Sequence, residues 1–281
     1  MACGKAIELF LVDGKADGIV TAELSNWNGK AIKIPRIEVA DCKRDDITEP
    51  GVYFLFCKDE DTDEDSVYIG EAENVKNRLV RHLADAAAEI EKYYWSTAVV
   101  FIGRDLNKAL IRYLENRFVE IAKQCGKYTI LTKNTYKNTV LKEAQIASME
   151  EFIDNAKILM KTLGYGILEE KPKANEDTVI LYCKNSSASA KGFESVNGFT
   201  VLQGAVISDN TVPSFENERS YYFKLRNKLI EEEVIVDSKF TKDYEFDSPS
   251  AASSVILGRT SNGNIDWKTK EGKSLKELVS N

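Results

Sequence analysis

The chain has little of several things that would narrow its chemistry. It contains a single histidine, three methionines, five prolines and five cysteines in 281 residues. Any role that needs an imidazole therefore falls on His82. The cysteines, Cys3, Cys42, Cys57, Cys125 and Cys183, are scattered with no CxxC pair, so the sequence closes no zinc site or redox loop of that kind. They are expected to be reduced and mostly buried. No apolar run approaches the ~20 residues that a bilayer span needs. The opening Met-Ala-Cys-Gly-Lys-Ala leads into a strand-like segment rather than a signal-peptide core. The expected address is the cytoplasm, with no membrane partner. Basic residues are outnumbered, 38 Lys and Arg against 45 Asp and Glu, for a net charge of −7. That balance counts against a protein that wraps DNA by charge alone, because phosphate neutralisation dominates nonspecific affinity.

Local distribution matters more than the total. Six of the seven residues from Asp59 to Asp65 are acidic, while Lys76, Arg78 and Arg81 give the following helix a modest basic face. A short nucleic-acid footprint is expected rather than a long groove. Two tripeptides flank the acidic run, Gly51-Val52-Tyr53 and Tyr68-Ile69-Gly70, each reading as a strand core with a tyrosine. Helical periodicity follows at Val75, Leu79, Leu83, Ala86 and Ile90. Arg78 and His82 stand four residues apart on it and so share a face. A further helix from Asn107 to Cys125, with Leu110, Leu114, Phe118 and Ile121 as its apolar stripe, carries Glu115 beside that stripe.

This ordered set, Gly51-Val52-Tyr53, Tyr68-Ile69-Gly70, Arg78, His82 and Glu115, resembles the GIY-YIG nuclease superfamily over roughly residues 48 to 135. The resemblance implies a metal-dependent endonuclease that hydrolyses DNA phosphodiester bonds. It implies Tyr53, Tyr68, Arg78, His82 and Glu115 as catalytic residues, with Glu115 the ligand of a Mg²⁺ or Mn²⁺ ion and Arg78 stabilising phosphate charge. Lys76, Arg81 and Asn134 are the expected substrate contacts, Asn134 standing for the asparagine that usually follows the glutamate helix. The general base is left open among Tyr53, Tyr68 and His82, since a free phenol near pKa ~10 is a poor base and an imidazole near ~6.5 a better one. Glu71 departs from the family pattern, standing where many members carry lysine or a small polar residue. The order of elements predicts that the five side chains converge on one concave surface.

The expected fold is α+β, a small mixed β-sheet flanked by helices. Three strands, 6–12, 18–24 and 31–37, with Asp13-Gly14 and Asn-rich turns between them, form an N-terminal β lead-in over residues 1–46. That lead-in, with its runs LFLVDG and LSNWNGKAIKIPR, looks like the one found on some bacterial GIY-YIG proteins and is expected as a small sheet packed on the nuclease module. The module occupies 47–168 and ends in a helix over 149–163, and a charged linker follows at 169–177. Residues 178–281 form a small C-terminal α+β domain, with strands at 179–183 and 199–207 and helices at 219–232 and from Ser248-Pro249 onward. Its run FDSPSAASSVILGRTSNGNIDWK resembles a domain of uncharacterised function often attached to GIY-YIG proteins. Trp267 is expected either in a core or on a nucleic-acid contact surface. Lys224, Arg226 and Lys228 would extend a DNA footprint, or the domain would bind a partner protein. The alternative to an endonuclease is a catalytically weak or inactive nucleic-acid or protein binding module that keeps the fold.

Overall fold

The computed structural model describes residues 4–58, 64–91, 93–133, 140–170, 172–216 and 220–279. The chain forms two compact units, Met1–Glu170 and Lys171–Asn281.

The first unit is built on one mixed sheet. Its strands are β1 (Ile7–Leu11), β2 (Val20–Leu24), β3 (Gly29–Pro35), β4 (Gly51–Lys58), β5 (Asp65–Ala72), β6 (Trp95–Gly103) and β7 (Thr129–Ile130), in the order β1-β2-β3-β6-β4-β5-β7. All neighbours are antiparallel except the short β5–β7 pair. The N-terminal strands are therefore not a separate small sheet packed on the module. β3 pairs with β6 from Gly29 opposite Gly103 to Pro35 opposite Thr97, which makes the lead-in part of the same sheet.

Three helices cover the sheet, α1 (Val75–Ala87), α2 (Lys108–Cys125) and α3 (Glu143–Thr162). Strand β4 is buried on both faces, and its period of two separates them. Val52, Phe54 and Phe56 join a core with α2 and α3. Tyr53, Leu55 and Cys57 join another with Val75 and Leu79 of α1. Side-chain caps set the starts of two helices: Asn74 accepts from Asn77 N–H, and Asn107 from the N–H groups of Ala109 and Leu110. Helix α1 ends at Ala87, short of the expected stripe, and Ile90 is left exposed beyond it. Helix α3 begins at Glu143, earlier than the apolar pattern implies, because Lys142 N–H bonds the Gln145 side chain and fixes a first turn there.

The second unit has a four-stranded antiparallel sheet, β13-β10-β9-β8, made of β8 (Leu181–Lys184), β9 (Ser189–Ser195), β10 (Gly198–Val201) and β13 (Tyr244–Phe246). It also carries α4 (Tyr221–Glu231), a ribbon of β11 (Ile235–Val236) with β12 (Lys239–Phe240), and helices α5 (Pro249–Leu257), α6 (Gly263–Asp266) and α7 (Leu275–Val279). Ser248 caps α5 by accepting from Ala251 N–H at 3.1 Å. Trp267 is a core residue, with its ring centroid 4.3 Å from that of Phe199 and its indole N–H donated to the Pro249 carbonyl at 3.0 Å. Arg226 is not part of a DNA footprint. It is buried, and its guanidinium bonds the carbonyls of Val255 and Ser208, which staples α4 to its neighbours. Among the described residues no helix is long and apolar enough to cross a membrane.

Phe118 of α2 sits where the sheet core is densest, its ring 5.3 Å from Phe54 and 6.0 Å from Phe101. Phe118→Ala is expected to destabilise the chain by about 3–5 kcal/mol, read as a lowered midpoint in urea unfolding. A loss under ~1 kcal/mol would mean that this layer is loosely packed.

Candidate active site

In the β4–β5 pairing Tyr53 lies opposite Gly70 and Leu55 opposite Tyr68. Directly opposed residues share a sheet face, so both phenols point toward α1. The Tyr53 ring lies across Gly70, where an added Cβ would be 2.4 Å from the hydroxyl and 2.9 Å from a Tyr68 ring carbon. Glycine is required there for the phenol to lie on the strand. Helix α1 then delivers two side chains to the same hydroxyl. Arg78 Nε donates to Tyr53 Oη at 3.1 Å, and Tyr53 Oη is 3.0 Å from His82 Nε2. The Tyr68 ring completes the cluster, with its centroid 6.2 Å from Tyr53, 5.3 Å from His82 and 5.9 Å from Tyr93.

Tyr53 and His82 are 1% and 0% exposed, and that decides their charge. Burial, reinforced by the neighbouring Tyr68, holds the Tyr53 phenol well above the ordinary tyrosine value, with Arg78 opposing. Burial, then Arg78 and Arg36, pushes His82 down to about 3. At neutral pH the pair is a neutral phenol on a neutral imidazole.

Glu115 enters from elsewhere. The helices that carry Arg78 and Glu115 pack on opposite faces of the sheet, so the five side chains do not simply line one concave wall. The parity of β5 connects the two sides. Gly70 lies under the Tyr53 hydroxyl, and the next residue, Glu71, bonds the Glu115 carboxylate through its backbone N–H. Phenol and carboxylate thus meet consecutive residues of β5, and the Glu115 charge contributes to raising Tyr53. Glu115 itself is buried, with Oε2 lacking a hydrogen-bond partner among the described residues. Burial, with Glu71 as the next cause, pushes it up to about 7, against Lys108 and Arg112. The Glu71 side chain is buried too and pairs with Lys108 Nζ at 2.9 Å, with Arg112 Nε 3.8 Å away.

Of the other expected residues, Lys76 is half-buried and Arg81 exposed on α1. Asn134 lies outside the described residues, as do positions 59–63 of the acidic run. Just before Asn134, Thr132 Oγ1 exchanges hydrogen bonds with the backbone N–H and C=O of Ile69, both at 2.8 Å. Sequence reasoning missed Glu91, whose Oε1 contacts His82 Nδ1, and Tyr93, stacked on Tyr68. It also missed Lys108 as the counter-charge of Glu71. The spacing of Lys108, Arg112 and Glu115 along one helix was a readable signal; Glu91 had none, since it follows the helix.

A carboxylate oxygen that is buried and unpartnered is a hard donor suited to a hard divalent cation, which takes one or two carboxylates and keeps much of its water. No group of three or more His, Cys, Asp or Glu side chains is arranged for a metal among the described residues.

The strand tyrosines over a glycine, the arginine and histidine of the next helix and the glutamate of a later one all lie within one matched stretch of the chain. Residues 49–129 match the GIY-YIG catalytic domain, and residues 181–279 match a domain of unknown function, DUF4357. The chain thus carries a GIY-YIG domain followed by that small C-terminal domain. Comparison with curated proteins and with solved structures finds no match.

The buried, neutral His82 has a signed consequence for pH. Its folded pKa lies below the unfolded value near ~6.5, so its contribution to stability is complete above that value and is lost as pH falls toward about 3. Urea midpoints measured between pH 7 and 4 should fall less steeply in His82→Gln than in the wild type. An imidazole that titrates near 6.5 in the folded chain would show instead that the ring is solvated.

Proposed function

We propose that the module is a metal-dependent endonuclease acting on DNA. The observation that carries this reading is the hydrogen-bonded series Arg78–Tyr53–His82 over Gly70, with Glu115 bonded at the next residue of the strand and its Oε2 without a partner among the described residues. Hydrolysis of a phosphodiester needs a deprotonated water in line with the leaving oxygen and compensation of charge on the phosphoryl oxygens. Tyr53 is too strongly held neutral to wait as a phenolate. It serves instead as a relay. Its oxygen takes a proton from the attacking water as its own proton passes to His82 Nε2. The resulting hydroxide forms the new P–O bond, and the bond to the leaving sugar oxygen breaks. Arg78, a permanent cation at the Tyr53 hydroxyl, balances the charge gathering on the phosphate. Tyr68 orders the imidazole by ring contact.

Glu115 would hold a Mg²⁺ or Mn²⁺ ion, which would supply Lewis-acid stabilisation of phosphoryl and leaving oxygens. Lys76 and Arg81 supply the backbone contacts that seat the DNA. Asn134 remains a proposed substrate contact.

Two measurements test this reading. Metal-dependent nicking of plasmid or branched DNA is expected to fall by about 10³-fold in Glu115→Gln, equivalent to ~4 kcal/mol of transition-state stabilisation. The substitution should leave folding intact, because it removes a buried charge without changing shape. Cleavage retained in Glu115→Gln would overturn the metal assignment. A wild type that binds DNA and never nicks it would favour a binding module.

Lys76→Ala with Arg81→Ala should weaken DNA binding and flatten its salt dependence by roughly 0.9 in the log–log slope per lost phosphate contact. An unchanged slope would place the DNA elsewhere.

A further inference from the structure

We propose that Glu91 is a positioning residue that fixes the tautomer of His82, so that Arg78, Tyr53, His82 and Glu91 act as one directional proton relay. This inference rests on the endonuclease reading only for its kinetic consequence; the tautomer itself is independent of it. The direction follows from which atoms can only donate. Arg78 Nε has a hydrogen and no lone pair to offer, so Tyr53 Oη accepts there. The phenolic proton is then free for the partner 3.0 Å away, but Tyr53 Oη keeps a second lone pair, so His82 Nε2 accepts there only when the imidazole hydrogen is held on the other nitrogen. A neutral imidazole with an accepting Nε2 carries its hydrogen on Nδ1. Nδ1 faces Glu91 Oε1, within hydrogen-bond contact, and a carboxylate offers that N–H only acceptors.

The local fold is built to bring Glu91 there. Helix α1 stops at Ala87, and Glu89 adopts a left-handed backbone with φ 56°. The N–H groups of Ile90 and Glu91 both return to the Asp85 carbonyl, at 2.9 and 3.3 Å. The turn folds Glu91 back beneath an imidazole nine residues earlier, with its side chain only 12% exposed. Among the described residues, the other charged or titratable groups around the pair are Arg78 and Asp85 of α1, Tyr53, Cys57 and Tyr68 of the sheet, and Arg36 and Tyr93. Arg78 and Arg36 both disfavour a proton on His82. Glu91 is the carboxyl in direct contact with the ring, so it is the group that compensates the imidazolium as it forms. A Glu91 that merely anchored its loop would leave the imidazole's hydrogen where it is when removed.

Because His82 is the only histidine in the chain, ¹⁵N-histidine labelling of the full-length protein reports a single ring. The wild type is expected to show hydrogen on Nδ1 and a bare, hydrogen-bonded Nε2. In Glu91→Ala the hydrogen should redistribute toward Nε2. In Glu91→Gln, whose amide oxygen still accepts, the tautomer should persist without the charge. DNA cleavage should drop by about 10²-fold in Glu91→Ala, the lower range for loss of positioned acid–base help, and by less in Glu91→Gln, with little change in KM for DNA. The proposal is overturned by a wild-type ring protonated on Nε2, by unchanged ring nitrogens in a folded Glu91→Ala, or by Glu91→Gln cleaving at the wild-type rate. The last of these keeps the test decisive if Glu91→Ala fails to fold. If the wild type does not cleave DNA, the endonuclease reading fails while the nitrogen signals still decide the role of Glu91.

Discussion

A buried phenol has one hydrogen to give and a lone pair to fill, and at Tyr53 both demands are met from the same helix. Arg78 supplies the donor and His82 the acceptor, four residues apart, which is the spacing that places two side chains on one helix face. Neither could be exchanged for a group of the opposite polarity without stranding a buried polar atom, at a cost of about 1–3 kcal/mol. This small requirement fixes where α1 packs on the sheet and how it is rotated. It also explains Gly70, since a side chain on the paired residue would drive the ring off the strand. The two signature tripeptides are thus one packing unit rather than two separate sites.

Much of that unit was legible from residue order alone. Tyr53, Tyr68, Arg78 and His82 all fall within local elements whose periods, two for strands and near four for the helix, can be read directly. Glu115 was legible as a residue but not as an environment. It is buried rather than beside the buried stripe, because the neighbouring Glu71 is neutralised by Lys108 and lets α2 close on β5. Glu91 was not legible at all. An apolar pattern running through Ile90 suggested more helix, whereas a left-handed turn at Glu89 reverses the chain, and no rule of periodicity marks a non-glycine residue in that conformation.

The second unit shows the same limit from another direction. Strand β9, SAKGFES, is rich in small residues and lacks the β-branched runs that announce a strand, so its place in the sheet depends on pairing with β8 and β10. Helix α5 buries Ser253 and Ser254, which both bond Ser261: its hydroxyl is 2.7 Å from that of Ser253 and its N–H donates to Ser254 at 3.1 Å. Such a core is held together by small polar side chains as well as by Trp267 and Phe199. Arg226 belongs to the same economy, spending a cation on two internal carbonyls where an amphipathic reading expects solvent.

The junction of β3 with β6 carries a practical meaning for anyone isolating the catalytic part. The stretch that matches the GIY-YIG domain begins at residue 49, yet β6, within that stretch, has its outer side taken by residues 29–35. Cutting the chain at the family boundary would bare the backbone of a long, apolar strand together with the side chains it shares with Ala31, Ile32 and Ile34. An edge of that kind recruits other chains. The smallest portion that can exist by itself is therefore larger than the portion that is recognisable, and the opening strands are best regarded as the missing half of a seam.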